Sequence, residues 1–337
     1  MTDSRVRVAL IGAGSMANQY HYPSLASLPD VELVGISDLI GTKAHQTASQ
    51  FGIASDRVYT DYRRMLTEVQ PQAVYVLMPP QHLYEPVHYV LQLGCHVFVE
   101  KPLGLTVTQA RMLSYIAEQH GCLTMVGFQR RFSPAMTSLR QQVEARGPIH
   151  FAEVDFLKST SDLTEPAGFY DGAIDPFTSD GIHAVDLVRW LCGGDVEDVY
   201  SDVRRRDVPG PIPNAFAALI SFSTGAVGVV HYNQLTGQRI FRSEFHGKNI
   251  TGYVDADRES YLVADNGEAE TRSSRDFALL SLPSGLELGP EHWLGFWHEN
   301  RHFIDCILAG RNPSSDFTDA LKSMELTERI LRAAQHT

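Results

Sequence analysis

Val6-Arg7-Val8-Ala9-Leu10-Ile11-Gly12-Ala13-Gly14-Ser15-Met16-Ala17 opens on a β-rich apolar run and closes on small residues. The run reads as a buried strand. The small residues fit G-x-G-x-x-G/A, the turn from a strand into a helix that receives a dinucleotide pyrophosphate. Gly12 permits the tight turn, Gly14 admits the phosphates to the backbone, and Ala17 lets the helix pack close. A helix starting near Ser15 offers unpaired N–H groups and the positive end of its dipole. This stretch predicts a parallel, doubly wound α/β domain.

The following residues extend the pattern. Val31 to Ser37 is a second strand ending at Asp38, which lies 24 residues after Gly14. A carboxylate about 20 residues on accepts the adenosine ribose hydroxyls of NAD and repels the 2′-phosphate of NADP. No Arg follows closely, although Lys43 does, so NAD is expected over NADP. The other reading of Asp38 is a cap for the next helix. Thr42–Phe51, Asp61–Val69, Tyr84–Leu93 and Thr106–His120 read as helices. Ala73–Leu77, His96–Val99 and Leu123–Val126 read as strands. Strict alternation puts the strand ends that carry Gly12, Asp38, Met78, Lys101 and Gly127 on one edge of a sheet. At His96-Val97-Phe98-Val99-Glu100-Lys101-Pro102 the polarity flips at a strand mouth, where such sheets hold their ligand chemistry.

The chain has 337 residues, enough for two domains, with 43% hydrophobic and 20% charged residues. A net charge of −12 disfavours nucleic acid and anionic membranes as partners. Arg204-Arg205-Arg206, the one basic run, reads as a solvated strand end. Cys95, Cys122, Cys192 and Cys306 are scattered without a Cys-x-x-Cys pair, and no apolar stretch reaches membrane-spanning length. A reduced, cytoplasmic protein is expected.

The second half changes character. Ala135–Ala145 is a helix, and Ile149–Leu157 alternates as a strand. Ser159–Thr178, with Pro166, Gly168, Gly172 and Pro176, is a long polar loop of the kind that usually serves function. It reads as a pocket wall, with Tyr170 and Asp175 its candidate substrate residues. A helix follows from Asp180 to Leu191, with Thr178, Ser179 and Asp180 as competing N-caps. His183 falls in its first turn, where the dipole favours the neutral imidazole of a general base. Asp186 and Arg189 follow at same-face spacing. From Val196 to Val263 strands succeed one another without helices, which predicts an antiparallel sheet. An open face on that sheet needs a cover, and a homodimer or homotetramer is expected. Asn266–Pro290 reads as a loop, and Gly295–Leu308 and Phe317–Ala334 as helices. His298 and His302 are spaced i, i+4 near His292, but no Glu stands in the H-E-x-x-H register, so no metal site is expected.

Taken together, Gly12-x-Gly14-x-x-Ala17, Asp38, Pro79-Pro80, Glu100-Lys101-Pro102, Gly127-Phe128-Gln129-Arg130-Arg131-Phe132-Ser133-Pro134, Asp180-Gly181-Ile182-His183 and Asn300-Arg301-His302-Phe303-Ile304-Asp305 resemble the glucose–fructose oxidoreductase / inositol dehydrogenase / MocA (Gfo/Idh/MocA) family. The resemblance implies a Rossmann domain over residues 1–126 and a substrate-binding and oligomerisation domain over 127–337. It implies an NAD(P)-dependent oxidoreductase acting on a secondary hydroxyl of a sugar, cyclitol or related polyol. Lys101 would position the hydroxyl and His183 serve as acid/base. The family's assisting Asp is replaced here by Ser179, with Asp180 one residue late. Leu83 stands where many relatives carry His, and His82 is adjacent. Cofactor contacts are implied for Gly12, Gly14, Ser15, Met16, Asp38, Met78, Pro79, His82, Glu100, Lys101 and Gln129. Substrate contacts are implied for Lys101, Arg130 and His183. A cis Lys101–Pro102 bond is implied as well. Two other activities occur within the resemblance: a redox-neutral glycosidase or epimerase with tightly held NAD, and a non-catalytic NAD-binding regulator.

Overall fold

The computed structural model describes residues 5–159, 169–206, 212–256 and 258–333. By contacts the chain divides into two units. Residues up to Gln129 join with Gly295–Leu321, and Arg130–Leu294 join with the residues from Lys322 on. By contacts Gly295–Leu321 thus joins the first unit, although it follows the second in the chain.

In the first unit, strands β1 (Val6–Ile11), β2 (Val31–Ser37), β3 (Val58–Tyr59), β4 (Ala73–Val76), β5 (His96–Glu100) and β6 (Thr124–Gly127) form one parallel sheet. Their order is β3-β2-β1-β4-β5-β6, that of a Rossmann sheet. β4 is buried along its whole length, which explains its unbroken apolar sequence. Helices Gly41–Phe51, Tyr62–Val69, Tyr84–Gln92 and Val107–Gln119 fall where the periodicity puts them. Asp61 and Thr106 cap two of them through their side chains. The helix after Gly14 begins at Ser15 but widens into a π-turn over Ala17–His21 before continuing as Tyr22–Ala26. The helix Phe296–Ala309 contributes Phe303, whose ring packs 5.8 Å from both Tyr75 and Phe98. Beyond it, Ser315 flanks β6: its carbonyl accepts the Val126 N–H at 2.8 Å, and its hydroxyl donates to the Val126 carbonyl.

The second unit is built on an eight-stranded sheet: β7 (Phe151–Leu157), β8 (Val196–Arg204), β9 (Ala215–Phe222), β10 (Val227–Asn233), β11 (Ile240–Gly247), β12 (Ile250–Asp255), β13 (Glu259–Ala264) and β14 (Glu270–Ser273). The order is β14-β13-β12-β11-β7-β10-β9-β8. All neighbours are antiparallel except β7 and β10. One face packs on helices Pro134–Glu144 and Ile182–Cys192. Aliphatic and aromatic side chains share that core, and Phe177 stacks on Phe216 at 4.5 Å, a contact worth roughly 0.5–1.5 kcal/mol beyond area burial. The opposite face exposes Tyr200 and Leu219. The stretch read as a loop over 266–290 instead contains β14 and the helix Ser274–Ser281, started by a Ser273–Asp276 capping box. The final helix is Phe317–Ala333; Ala334 lies outside the described residues. Among the described residues, no helix is long and apolar enough to cross a membrane.

Candidate functional site

The order of the first sheet reverses between β1 and β4, and ligands bind at such a switch point. The structure has a cavity of about 850 Å³ there, lined by Gly12, Gly14, Asp38, Met78, Pro79 and His82 among others. Gly12 has φ +111°, and a Cβ on it would fall 2.1 Å from the Leu77 carbonyl oxygen. Only glycine fits that turn. A Cβ on Gly14 would meet nothing within 4 Å. Its backbone thus fronts open space, as a phosphate cradle requires.

Asp38 is held by two backbone donors. The Ala13 N–H gives to Oδ2 and the Ile40 N–H to Oδ1, both at 2.8 Å. The next helix, Gly41–Phe51, takes no side-chain cap, so the capping role open to Asp38 is not the one it has. A carboxylate has about four lone-pair sites, and two bonds leave room for two hydroxyl donors. These features fit the adenosine ribose and pyrophosphate of a dinucleotide. The sequence did not single out Leu39, Tyr62 or Tyr84, which share the cavity wall; their only signal was position beside Asp38 and after Pro79-Pro80. Leu83 is fully buried, and His82 beside it lines the cavity.

The remaining cofactor candidates of this unit lie elsewhere. Ser15 and Met16 are exposed on the helix start, where the Ser15 hydroxyl accepts from Gln19. Glu100 turns its carboxylate to the buried His21, 2.8 Å away. Lys101 follows β5, half-buried, and its bond to Pro102 is cis. Gln129 is buried at the start of the turn Gln129–Phe132, its Oε1 without a hydrogen-bond partner.

The candidates of the second unit include His183 and residues of the turn that precedes it. A π-turn, Phe177–Gly181, leads into the helix Ile182–Cys192. A Cβ on Gly181 would sit 2.4 Å from the Phe177 ring, so that turn needs the glycine. None of Thr178, Ser179 and Asp180 caps this helix. Asp175 takes that work instead: it accepts the Thr178 N–H at 2.9 Å and the Thr178 hydroxyl at 2.5 Å. Asp175, expected as a pocket residue, thus accepts one hydrogen bond from the turn on each carboxylate oxygen. Asp180 is engaged by the Lys158 ammonium. Lys158, just beyond β7, was not anticipated; a lysine ending an apolar strand, as at Lys101, was the available signal.

His183 is 7% exposed. Its ring lies edge-on to Phe156 at 6.2 Å and to Phe241 at 6.3 Å. The Arg130 guanidinium stands 4.5 Å from the Phe241 ring centre. Tyr170 is 37% exposed with φ +49°. Pro166 and Gly168 of the expected wall lie outside the described residues. Behind His183, Asp186 receives Arg131 through both carboxylate oxygens, with Nε–Oδ2 at 2.6 Å. The Ser323 hydroxyl adds a bond at 2.7 Å. Arg189, one turn further along the helix, reaches Asp186 Oδ1 at 4.0 Å.

His292 and His302 are used structurally. The Gly289 N–H donates to His292, and the Ser314 N–H to His302.

A family model described as "Oxidoreductase family, NAD-binding Rossmann fold" matches residues 6–128. The model of the "GFO/IDH/MocA C-terminal domain" matches residues 144–251. The chain belongs to the Gfo/Idh/MocA oxidoreductase family. It is 25% identical to the scyllo-inositol 2-dehydrogenase (NAD(+)) of Bacillus subtilis (strain 168), over 96% of this chain and 92% of that protein. It is 38% identical to the D-glucoside 3-dehydrogenase of Escherichia coli (strain K12), over 42% of this chain and 40% of that one. The fold superposes on a levoglucosan dehydrogenase solved with NADH and levoglucosan at a TM-score of 0.83. That match has 20% identity and covers 98% of each chain.

Proposed function

We propose that the protein oxidises a secondary hydroxyl of a sugar, cyclitol or related polyol, with NAD preferred over NADP. The observation that carries this is the cavity at the β1/β4 switch point, where Gly12, Gly14 and Asp38 meet. NAD supplies a hydride acceptor when bound. Lys101 holds the reacting oxygen and stabilises the negative charge that develops on it. His183 takes the hydroxyl proton. Its burial between Phe156 and Phe241 supports that role, because a dry, apolar flank strengthens every polar contact it makes. Lys158 neutralises Asp180, so Asp180 acts on His183 as half of an ion pair and not as a lone carboxylate. The Asp38 carboxylate supports the cofactor preference by its charge. The half-open face of the eight-stranded sheet supports a homodimer or homotetramer formed through it. The cysteines support a reducing, cytoplasmic setting: all four are free, and burial pushes Cys192 up to about 12 and Cys122 to about 11, which keeps them inert.

The test is Lys101→Met, assayed on a polyol panel with NAD. Turnover should fall roughly 10²–10³-fold, the usual loss for a charge-stabilising donor, while NAD affinity stays close to wild type. NADH should accumulate in proportion to product. Near-normal turnover in the variant, or product without NADH, would sink the assignment.

A further inference from the structure

Below the end of β5 lies a group of buried ionisable side chains that the proposed reaction does not use. Glu299, on the helix Phe296–Ala309, is 0% exposed. Neither of its carboxylate oxygens has a hydrogen-bond partner. A Glu299 oxygen, a ring nitrogen of His21 and an oxygen of Glu100 all lie within 4.8 Å of one another. His21 is equally buried, on the π-turn Ala17–His21, edge-on to Phe98 at 5.2 Å and to Phe296 at 5.7 Å.

Hydrogen bonding sets the charges. Asn300 Nδ2 donates to the Phe296 carbonyl at 2.7 Å, which fixes the amide's orientation. The same nitrogen lies 3.2 Å from His21 Nδ1, nearer than Asn300 Oδ1 at 3.4 Å. An NH₂ group facing Nδ1 makes that nitrogen the acceptor, so the proton of a neutral imidazole sits on Nε2. From there it donates to Glu100 Oε1 at 2.8 Å. Glu100 is thus a carboxylate with a donor, whereas Glu299 has none. The Tyr75 hydroxyl, from β4, is buried and also without a partner. Arg301, the next residue but one, is committed to Asp30 at 2.6 Å and Asp305 at 2.8 Å. Two carboxylates that share a buried site do not both ionise.

We propose that Glu299 is held as an uncharged carboxylic acid and serves as a positioning residue. By staying neutral it leaves Glu100 the single anion bonded to His21, and so fixes the end of β5 to which Lys101 is joined. Burial, and after it the charge on Glu100, raise the Glu299 carboxyl well above its ordinary value. Only the positioning half rests on the reading of Lys101 above; the charge state of Glu299 stands without it.

The sign of the pH dependence follows. An unfolded glutamate ionises near 4.3, while the folded one keeps its proton. Above that pH the unfolded chain binds fewer protons, so Glu299 makes folding less favourable as pH rises toward its folded value. Glutamine has the shape of the neutral acid and no titration. The experiment compares the full-length protein with Glu299→Gln, Glu299→Leu and Glu299→Lys. Infrared difference spectra of wild type minus Glu299→Gln should show a protonated carboxyl band at neutral pH that shifts in D₂O. The melting temperature of Glu299→Gln should gain on wild type as pH rises from the acid side. Its kcat and pH–rate profile should match wild type. Glu299→Leu is uncharged as well and should keep kcat near wild type, whereas Glu299→Lys, which puts a charge beside Glu100 and competes with His21 for it, should lose kcat roughly ten- to a hundredfold, as small misplacements of a reacting group do, with KM for NAD unchanged.

A missing band, a melting difference that does not change with pH, or stoichiometric Zn²⁺, Mn²⁺ or Mg²⁺ binding that disappears in Glu299→Gln would overturn the neutral acid. A loss of kcat in Glu299→Leu, or wild-type kcat in Glu299→Lys, would overturn the positioning role. Normal turnover of Lys101→Met would instead defeat the functional reading, and would leave the infrared and melting results intact.

Discussion

Replacing Asp38 by Asn removes one charge and almost no volume, which makes it the most informative single change at the cofactor cavity. Both carboxylate oxygens already serve the backbone, through Ala13 and Ile40. An amide has one oxygen, so one of those two N–H groups would face an NH₂ and lose its acceptor. That local damage costs on the order of 1–3 kcal/mol and falls on every ligand of the site alike. The ribose term is separate: hydrogen bonds to a charged acceptor are worth roughly 1.5–3 kcal/mol, so NAD should bind about ten- to a hundredfold more weakly. For NADP the sign reverses. A carboxylate and a phosphate charge 4 Å apart repel by about 4 kcal/mol at an effective dielectric of 20, and Asn lifts that repulsion. Lys43, which lines the same cavity, is then the charged group nearest in sequence to position 38. Calorimetric titration of both cofactors should show their affinity ratio moving toward NADP by at least about tenfold, one step of 1.4 kcal/mol. The ratio cancels shared structural damage. If both cofactors weaken equally, Asp38 does no more than brace Ala13 and Ile40, and the proposed NAD preference fails.

The ion pair behind His183 is open to a double-mutant cycle. Arg131 and Asp186 are 1% and 2% exposed, so Asp186→Asn should cost about 3–5 kcal/mol, while the Arg131→Met, Asp186→Leu pair should recover most of it. Urea denaturation reads both, and a single-mutant loss below about 1 kcal/mol would contradict a buried, uncompensated arginine. Asp155 should govern acid stability in the second unit. Burial alone would raise its carboxyl, but hydrogen bonds and charge from His231 and Arg242 outweigh burial and lower it. Its stabilising contribution is therefore present above the ordinary aspartate value of about 3.9 and disappears as pH falls through the lowered one. Arg242→Leu should flatten that part of the melting-temperature profile, and an unchanged acid limb would refute it.

How far the sequence could be read depended on whether each signal was local. The turn at Gly12 and the acid at Asp38 are set by their own neighbours, and the alternation of strands and helices orders the first sheet. β3 is two residues long, below any periodicity. β14 is nearly all exposed, so it carries no apolar alternation, and the region read as loop. The π-turns at Ala17–His21 and Phe177–Gly181 have no compositional mark, and the second one places the three residues proposed as caps of the His183 helix inside the turn, between Pro176 and Gly181. Lys158 meets Asp180 across 22 positions, and Arg131 meets Asp186 across 55. Such pairs depend on how a turn or a strand end packs against a helix, which no local pattern specifies. Glu299 is the extreme case: its helix reads as amphipathic, and nothing in it says that a glutamate belongs to the apolar stripe.

The return of Gly295–Leu321 to the first unit bears on the order of events during synthesis. When Gln129 leaves the ribosome, all six parallel strands have been made, yet the rings of Tyr75 and Phe98 still lack Phe303. The outer edge of β6 still lacks Ser315. The nascent nucleotide-binding half must therefore wait, with an apolar face and a strand edge uncovered, while the whole of the intervening sheet is translated. A fragment cut at residue 129 keeps Gly12, Gly14 and Asp38 but has no means of sealing the core beneath them.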